Sequence, residues 1–271
     1  MNIRRGLPSI IMYFLLIVVC FISVYPFYFM VSASTNRSID VIAGRYYPGA
    51  YLFGNITRIM QDYNPVQTFF NSLRNAVALM LTSLFICSMA GYGFVIYRNR
   101  AKDRLMTVLL LSMMVPFASI VIPLFKMFSS MRILDSTMGF ILPSISTAFL
   151  IFFFRQSSMS FPIEIVQAAR VDGVGEFGIY LRVYFPIMSP TFAAAAIVTF
   201  MNGWNSYLWP LIIMKSEASR TMPLLITRII TLYVTDYGVL MLAVSVCTLP
   251  TLILFFTQQK KFVAGILGSV K

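Results

Sequence analysis

Six long apolar stretches alternate with shorter polar segments along this chain. An α-helix that crosses a lipid bilayer needs about 20 consecutive, mainly apolar residues, and each stretch comes close to that length or exceeds it. The pattern therefore predicts an all-α polytopic membrane protein with six transmembrane helices. The predicted spans are 10–31, 72–97, 105–128, 137–154, 187–213 and 238–256.

The first apolar stretch follows Arg4 and Arg5, as the core of a secretory signal peptide would. It is longer than such a core, and no A-x-A cleavage pattern follows it, so we predict a membrane span. The polar segment 33–70 comes next and is predicted to contain a short helix near residues 56–63. The polar segment 215–237 is predicted to contain another, over residues 223–233.

Small residues and prolines inside the predicted spans indicate how the helices pack. Small residues let membrane helices approach closely. The second span contains Ser83, Ser88, Ala90, Gly91 and Gly93. Prolines kink a helix, either for packing or as hinges. The third and fourth spans contain Pro116, Pro123 and Pro143.

Composition supports a membrane protein and argues against several kinds of chemistry. Hydrophobic residues make up 59% of the chain and charged residues 11%, whereas soluble domains have about 25% charged residues. The chain has no histidine, and its three cysteines lie far apart in apolar stretches, so we predict no metal site, no disulfide and no catalytic site. The net charge of +12 would suit nucleic acid, but membrane topology also concentrates Lys and Arg beside spans, and we adopt that interpretation.

The basic residues also predict the orientation of the chain. The turn RNRAKDR, residues 98–104, lies between the second and third spans and is the densest basic cluster. Cytoplasmic loops carry an excess of Lys and Arg. This turn, and with it both termini, is therefore predicted to be cytoplasmic.

The least apolar long run in the second half is the loop 157–190, between the fourth and fifth spans. Its spacing predicts a helix that stops at Gly173, because glycine readily ends a helix. A second short helix is predicted over residues 176–184, ending at Pro186. Four residues of the first helix fall near one side at helical spacing, namely Ile165, Ala168, Ala169 and Asp172.

This loop resembles one in the permease subunits of binding-protein-dependent ABC importers. The family pattern is EAA, three residues, Gly, nine residues, then I-x-L-P. Here it reads Gln167-Ala168-Ala169, three residues, Gly173, nine residues, then Val183-Tyr184-Phe185-Pro186. The spacing is kept, while Gln167 replaces the family's Glu, and Glu164, one turn earlier, is a candidate substitute for it. Further similar stretches are FNSL (70–73) and, from the sugar-importer branch, MVPFASIVIPLF (114–125), GWNSYLWPL (203–211) and QQKKFVAGILGSVK (258–271).

The resemblance implies the type I ABC importer permease fold, in a bacterial or archaeal plasma membrane. It divides the chain into an N-terminal helix with an external loop (1–70), a transmembrane domain of five helices (71–258) and a cytoplasmic tail (259–271). It implies a second permease subunit, either a different chain, which the sugar-branch similarity favours, or a second copy of this one. It also implies two ATP-binding subunits and an external solute-binding protein. ATP and Mg²⁺ would belong to the partners, since this chain has no G-x-x-x-x-G-K-[ST] loop and no cofactor of its own is expected.

The resemblance also implies that the cytoplasmic loop docks on an ATPase. The implied docking residues are Glu164, Gln167, Ala168, Ala169, Asp172, Gly173 and Pro186. The alternative is an amphipathic helix in the lipid interface, which would carry mainly Lys and Arg on its polar face. Residues 164–182 instead balance two basic against three acidic side chains, which favours docking.

A second candidate site lies at the end of the fifth span. Sugars combine hydroxyls with an apolar ring face, so amide groups beside aromatic rings suit them. The candidate pathway residues are Asn202, Trp204, Asn205, Tyr207 and Trp209. The alternative is an aromatic belt at the outer interface with a helix break at Gly203, and both interpretations stay open.

The predicted function is transport of a sugar or oligosaccharide, with another solute as the alternative. An ion-coupled secondary transporter fits less well, because it needs mid-membrane carboxylates or inverted repeats, and all nine acidic residues fall in loops or at span edges. An intramembrane enzyme also fits poorly, since the chain has no histidine and no G-x-S-x-G motif.

Overall fold

The computed structural model describes residues 7–231 and 233–268, with side chains over residues 11–231 and 233–258. This part of the chain consists of helices joined by turns and contains no strand. A helix satisfies its backbone hydrogen bonds within one segment, as a lipid-embedded chain requires. The prediction of an all-α protein is confirmed. Arg4, Arg5 and residues 269–271 lie outside the described residues.

The helices range from single turns to more than 30 residues. In chain order they are α1 Leu7–Ser34, α2 Ser38–Ile42, α3 Leu52–Asp62, α4 Pro65–Ile96, α5 Arg100–Ser112, α6 Phe117–Ser130, α7 Thr137–Ile141, α8 Ala148–Ser158, α9 Ile163–Val171, α10 Glu176–Ile179, α11 Phe185–Ile187, α12 Ser189–Trp204, α13 Leu208–Ile213, α14 Met222–Ile230 and α15 Tyr237–Gly268. Short 3₁₀ segments occur at Leu142–Ser144 and Glu217–Ser219, and a π-helical turn at Tyr180–Tyr184.

Three helical segments in the described part are long and apolar enough to cross a bilayer: Ile11–Ser34, Pro65–Ile96 and Tyr237–Gln258. Three bent helix pairs have sufficient combined length and apolarity, which gives up to six spans if each pair counts as one. Length and composition are thus consistent with the six predicted spans.

The predicted third span is broken rather than continuous. α5 ends at Ser112, α6 begins at Phe117, and the two helices are bent by 96°. Pro116 directly precedes α6 in an extended conformation, where its missing N–H is not needed. A residue before proline is also disfavoured in the helical region, which explains the break around Val115.

The predicted fourth span, 137–154, is broken as well. α7 and the 3₁₀ turn that contains Pro143 are bent by 56° relative to α8. Residues 145–147 separate the two halves, and Thr147 Oγ1 accepts a hydrogen bond of 3.3 Å from Leu150 N at the start of α8. A hydroxyl at this position satisfies one of the free N–H groups of a helix start.

Two predicted boundaries move outward. α4 begins at Pro65, earlier than the predicted residue 72, because proline is favourable in the first turn of a helix. α15 continues to Gly268, so the backbone of the predicted tail 259–271 is helical as far as that residue.

The described residues form two compact units. The first contains the chain up to Val66 together with Leu225–Leu249. Its core includes Ile59, Ile229 and Val239. Asn55 is fully buried there, and its Nδ2 donates to the carbonyls of Ser34 and Asn36 at 2.8 and 2.9 Å.

The second unit contains Gln67–Leu224 and the described chain from Pro250 onward. One of its cores packs Cys87, Phe154 and Tyr184 together, and another packs Leu79, Phe128 and Trp209. The first core supports the loop between α8 and α12, and the second supports the break between α12 and α13.

The Asn-Ser pair at 71–72 anchors the segment that follows α13. Asn71 Nδ2 donates to the carbonyls of Ala218 and Arg220 at 2.6 and 3.0 Å. Ser72 Oγ accepts from Met222 N at 2.7 Å. Side chains of α4 thus satisfy backbone groups between α13 and the first residue of α14, which explains why this position needs short polar residues.

Candidate coupling loop and translocation site

The loop between α8 and α12 has the predicted helix, glycine turn and second helical run. α9 covers Ile163–Val171, its C-cap is Asp172, and Gly173 follows with φ +78°. Gly173 N donates to Arg170 O at 3.0 Å, and Val174 N to Ala169 O at 3.0 Å. Glycine adopts this left-handed conformation at no steric cost, so the predicted stop at Gly173 is confirmed.

α9 has one face in the core and one face exposed. Val166 and Ala169 are buried, and Val166 has no exposed surface. Ile165, Ala168 and Asp172 lie on the exposed side, together with Glu164 and Gln167. The prediction that Ala169 shares a side with Ala168 is wrong, because the core takes the stripe formed by residues 166 and 169.

The exposed side of this loop carries several apolar side chains among its polar and charged ones. Val171, beside the turn, is 88% exposed, and Ile165 and Ile163 are about 40% exposed. Phe177 and Leu181 on the second helical run are exposed as well. We call Ile163, Ile165, Ala168, Val171 and Gly173 the docking surface. An exposed apolar patch with a well-packed reverse side is typical of a protein contact.

The loop is braced against the end of α4. Arg170 Nε donates to Glu176 Oε1 at 2.7 Å, which ties α9 to α10 across the glycine turn. The Arg170 guanidinium also lies 5.6 Å from the centre of the Tyr97 ring. The neighbouring Glu176 carboxylate raises the pKa of the Tyr97 hydroxyl. Both charges are partly exposed, so the brace fixes geometry more than it adds stability.

The neighbouring basic turn is organised by one carboxylate. Asp103 accepts from Arg155 Nη2 at 2.9 Å and from Arg98 Nε at 3.3 Å. Lys102 Nζ caps the end of α4 by donating to Tyr97 O at 2.7 Å. The basic cluster RNRAKDR is therefore partly neutralised and connects α4, α5 and α8.

The helical run does not end at Pro186, contrary to the sequence prediction. It passes from α10 through the π-helical turn into α11, which contains Pro186 and ends at Ile187. In the π turn, Phe185 N donates to Tyr180 O, five residues back. A π turn is wider than an α turn, so it relieves the clash between the proline ring and the carbonyl group in the preceding turn of the helix.

The π turn places two buried tyrosines that sequence reasoning missed. The Tyr180 hydroxyl is 2.6 Å from Ser88 Oγ, and the Tyr184 hydroxyl is 2.7 Å from Ser158 Oγ. Tyr92 packs edge-to-face on both rings. These contacts fasten the second helical run to α4 and α8. The sequence signalled these contacts only through the small residues of the predicted second span, because a buried serine such as Ser88 needs a hydrogen-bond partner.

The second candidate site lies where α12 ends and α13 begins. The break spans Asn205–Tyr207, so it starts two positions after Gly203. Gly203 lies inside α12 and serves close packing, because a Cβ there would meet Ala76 Cα at 3.1 Å. Asn202, Asn205 and Tyr207 are exposed at this break, as a pathway requires.

The two tryptophans of the predicted pathway are buried by this chain's own side chains. Trp204 is 1% exposed, packs edge-to-face on Phe69 and stacks on Phe200. Trp209 is 5% exposed, and its Nε1 donates to Gly139 O at 2.9 Å. Their rings therefore stabilise the helix break.

A cavity of about 130 Å³ adjoins the break. Its polar lining includes Thr147, Thr199, Asn202, Ser206 and the indole of Trp209. The two threonines were missed from the sequence, because they fall inside or beside apolar spans.

No cluster of metal-ligating side chains occurs among the residues that the structure describes. The cysteines there are unpaired by disulfide bonds.

Comparison with known proteins gives a consistent result. Residues 83–267 match the family described as binding-protein-dependent transport system inner membrane component. The chain is 41% identical over 270 residues to the lactose transport system permease protein LacG of Rhizobium radiobacter, covering 100% of this chain and 99% of the relative. It is 30% identical over 259 residues to the arabinooligosaccharides transport system permease protein AraQ of Halalkalibacterium halodurans, covering 93% of each.

More distant relatives extend the comparison. The chain is 27% identical to the sn-glycerol-3-phosphate transport system permease protein UgpE of Yersinia pestis, covering 99% of each. The fold is similar to a chain in the crystal structure of a bacterial ABC transporter involved in the import of the acidic polysaccharide alginate. The TM-score is 0.84 at 22% sequence identity, and the match covers 97% of this chain and 99% of that one. With the family match over residues 83–267, the chain belongs to the inner membrane components of binding-protein-dependent transport systems, the multi-pass permease subunits of ABC importers.

Proposed function

We propose that this chain is the membrane-spanning subunit of an ATP-driven importer for a sugar or an oligosaccharide. It forms half of the translocation pathway and pairs with a second permease subunit of a different sequence. Two ATP-binding subunits dock on its cytoplasmic side, and an external protein delivers the solute. ATP and Mg²⁺ bind to the partners, and this chain performs no covalent chemistry.

The observation that carries the coupling role is the docking surface. Its apolar side chains are exposed, while Val166 and Ala169 on the reverse face are buried in the same unit. The π turn, the Arg170–Glu176 pair and Tyr97 fix this surface to α4 and α8. A partner that pulls or pushes on α9 therefore moves the helices beneath it as one body.

The solute class is supported by the relatives and by the polar break. LacG and AraQ are permeases of lactose and arabino-oligosaccharide systems. Asn202, Asn205 and Tyr207 offer amide and hydroxyl groups at the α12–α13 break, where sugar hydroxyls can form hydrogen bonds. The buried rings of Trp204 and Trp209 support this break from the interior of the protein.

Gly173 provides the test of docking. A Cβ built at Gly173 meets no atom within 4 Å, so a side chain there starts in open space. We expect Gly173→Trp to leave the permease folded and to uncouple ATP hydrolysis from uptake in the complete importer. Transport of lactose and arabino-oligosaccharides into proteoliposomes is measured together with ATP hydrolysis.

Gly44 is a matched control, because its φ is +79° and a Cβ there also meets nothing within 4 Å. Both tryptophan variants carry the same backbone strain, about 1–2 kcal/mol for a left-handed residue. Gly44→Trp should keep the wild-type ratio of sugar imported to ATP hydrolysed. Normal coupling in Gly173→Trp, or equal loss in both variants, would contradict docking at Gly173.

A further inference from the structure

The cavity beside the α12–α13 break lies at the depth of the middle of a membrane span. It is lined by Leu79, which is near the centre of the candidate span Pro65–Ile96. Its volume of about 130 Å³ is about ten times the roughly 10–15 Å³ that a cavity needs, by the same measure, to hold one water molecule. A partly polar space of this size within an apolar bundle is a candidate place for part of a solute.

Three polar side chains on the cavity wall have no protein partner in the described part of the chain. They are Thr199, Asn202 and Ser206, which make no side-chain hydrogen bond there. Thr199 is 7% exposed and lies within α12. Because Thr199 lines the cavity, a water molecule or a ligand there can form the hydrogen bond that the protein does not supply.

Irregular backbone also borders the cavity on two sides. Ser144 and Thr147 flank the break between the 3₁₀ turn and α8, and Ser206 lies in the break between α12 and α13. Non-helical backbone at membrane depth is tolerated where it is buried in protein or lines a water-filled cavity. Transporters commonly bind their solutes at such broken helices.

The cavity wall carries no charged side chain. Its polar members are hydroxyls, one amide and an indole, and its apolar members include Phe140 and Phe149. A phosphate or carboxylate would need Arg or Lys for strong binding. Hydroxyls next to aromatic rings instead suit an uncharged sugar ring, which has polar edges and an apolar face.

We propose that this cavity is a subsite for one neutral sugar ring, contacted by Thr199, Asn202 and Ser206, with Ser144 and Thr147 also on its wall. The proposal rests on the proposed function and assigns direct solute contact to this chain. Accordingly, the subsite selects uncharged polyols over anionic solutes such as sn-glycerol 3-phosphate.

The test uses the complete importer in proteoliposomes with ATP inside and saturating solute-binding protein outside. Uptake of lactose, arabino-oligosaccharides and sn-glycerol 3-phosphate is compared between wild type, Thr199→Val and Asn202→Ala. We expect each variant to import the sugar about two- to tenfold more slowly, as the loss of one hydrogen bond predicts, with ATP hydrolysis nearly unchanged.

Two controls separate solute contact from packing. Thr199→Ser keeps the hydroxyl and should retain wild-type uptake. Thr82→Val removes a hydroxyl that already donates to Ala78 O at 2.6 Å within its own helix, so it should have no effect.

If Thr199→Ser and Thr199→Val are equally impaired, or neither Thr199→Val nor Asn202→Ala slows uptake, the subsite is refuted while sugar import by the wild type stands. Wild-type import of sn-glycerol 3-phosphate without either sugar would refute the proposed function and the neutral subsite together.

Discussion

Gly91 and Gly93 lie two residues apart in α4 and have different surroundings. A Cβ at Gly91 would lie 2.5 Å from Phe154 Cβ and 2.8 Å from Arg155 N. A Cβ at Gly93 would meet nothing within 4 Å. Gly91 is therefore the point where α4 and α8 touch through backbone, as small residues allow between membrane helices.

This difference predicts unequal effects of the same substitution. Gly91→Ala should destabilise the protein by about 1–3 kcal/mol, because the added methyl forces the two helices apart. Gly93→Ala should be neutral or slightly stabilising, since alanine favours helix by about 0.5–1 kcal/mol over glycine. Thermal unfolding of the purified protein in detergent measures both. Equal melting temperatures for the two variants would show that α4 and α8 do not touch at Gly91.

At the scale of elements, one carboxylate holds the turn after α6 against the segment after α13. Asp135 Oδ1 accepts from Lys215 N at 2.6 Å and Ser216 N at 2.9 Å, and also from the Ser219 hydroxyl. Desolvation opposes its charge, but these hydrogen bonds outweigh it and hold the pKa of Asp135 below its usual value. The segment 214–219 is thereby fixed to the turn that precedes α7.

The lowered pKa of Asp135 sets the sign of a pH effect. A carboxyl whose pKa is lower in the folded state stabilises the fold above its unfolded pKa, about 3.9 for Asp. This contribution is lost as the pH falls through the folded pKa. We expect Asp135→Asn to lower the melting temperature at pH 7. In acid, the difference in melting temperature between the variant and the wild type should become smaller, because the wild type loses the contribution of the charge.

Asparagine is the appropriate replacement at this position. Asp135 has φ +55°, a left-handed conformation that Asn also tolerates, so the substitution removes charge without new backbone strain. Melting curves of the variant and the wild type are recorded between pH 3 and pH 7. This range includes the pKa of an unperturbed Asp, about 3.9. A difference between variant and wild type that stays constant across this range would contradict a role for the charge.

At the scale of the whole molecule, the parts that local sequence determines were predictable. The helical spans follow from the lengths of the apolar stretches, and the stop at Gly173 follows from the freedom of glycine at φ +78°. The polar loop with α9 was identified by its composition and spacing. Helix breaks were also signalled by Pro116 and Pro143, although kinks rather than breaks were expected.

The rest depends on contacts between residues far apart in sequence. Helix continues through Pro186 because a π turn is held by Tyr180 and Tyr184 against Ser88 and Ser158. Trp209 is buried because its indole meets Gly139, 70 positions earlier in the chain. Periodicity reports on neighbours along the chain, so such packing was not visible in it.

The central claim is that a cytoplasmic ATP-binding subunit contacts the docking surface. Val171 suits a direct test, since it is 88% exposed beside Gly173. Val234, which is 76% exposed in the predicted external segment 215–237, is the matched control. Each is replaced by cysteine in a chain whose Cys20, Cys87 and Cys247 are changed to alanine.

The decisive measurement is cross-linking of Val171→Cys in membranes that contain the whole importer. We predict a cross-link from position 171 to an ATP-binding subunit and none from Val234→Cys. A membrane-impermeant thiol reagent should label Val234→Cys in intact cells and Val171→Cys only after the membrane is opened. Labelling of position 171 from outside, or its failure to cross-link in an active importer, would contradict the claim.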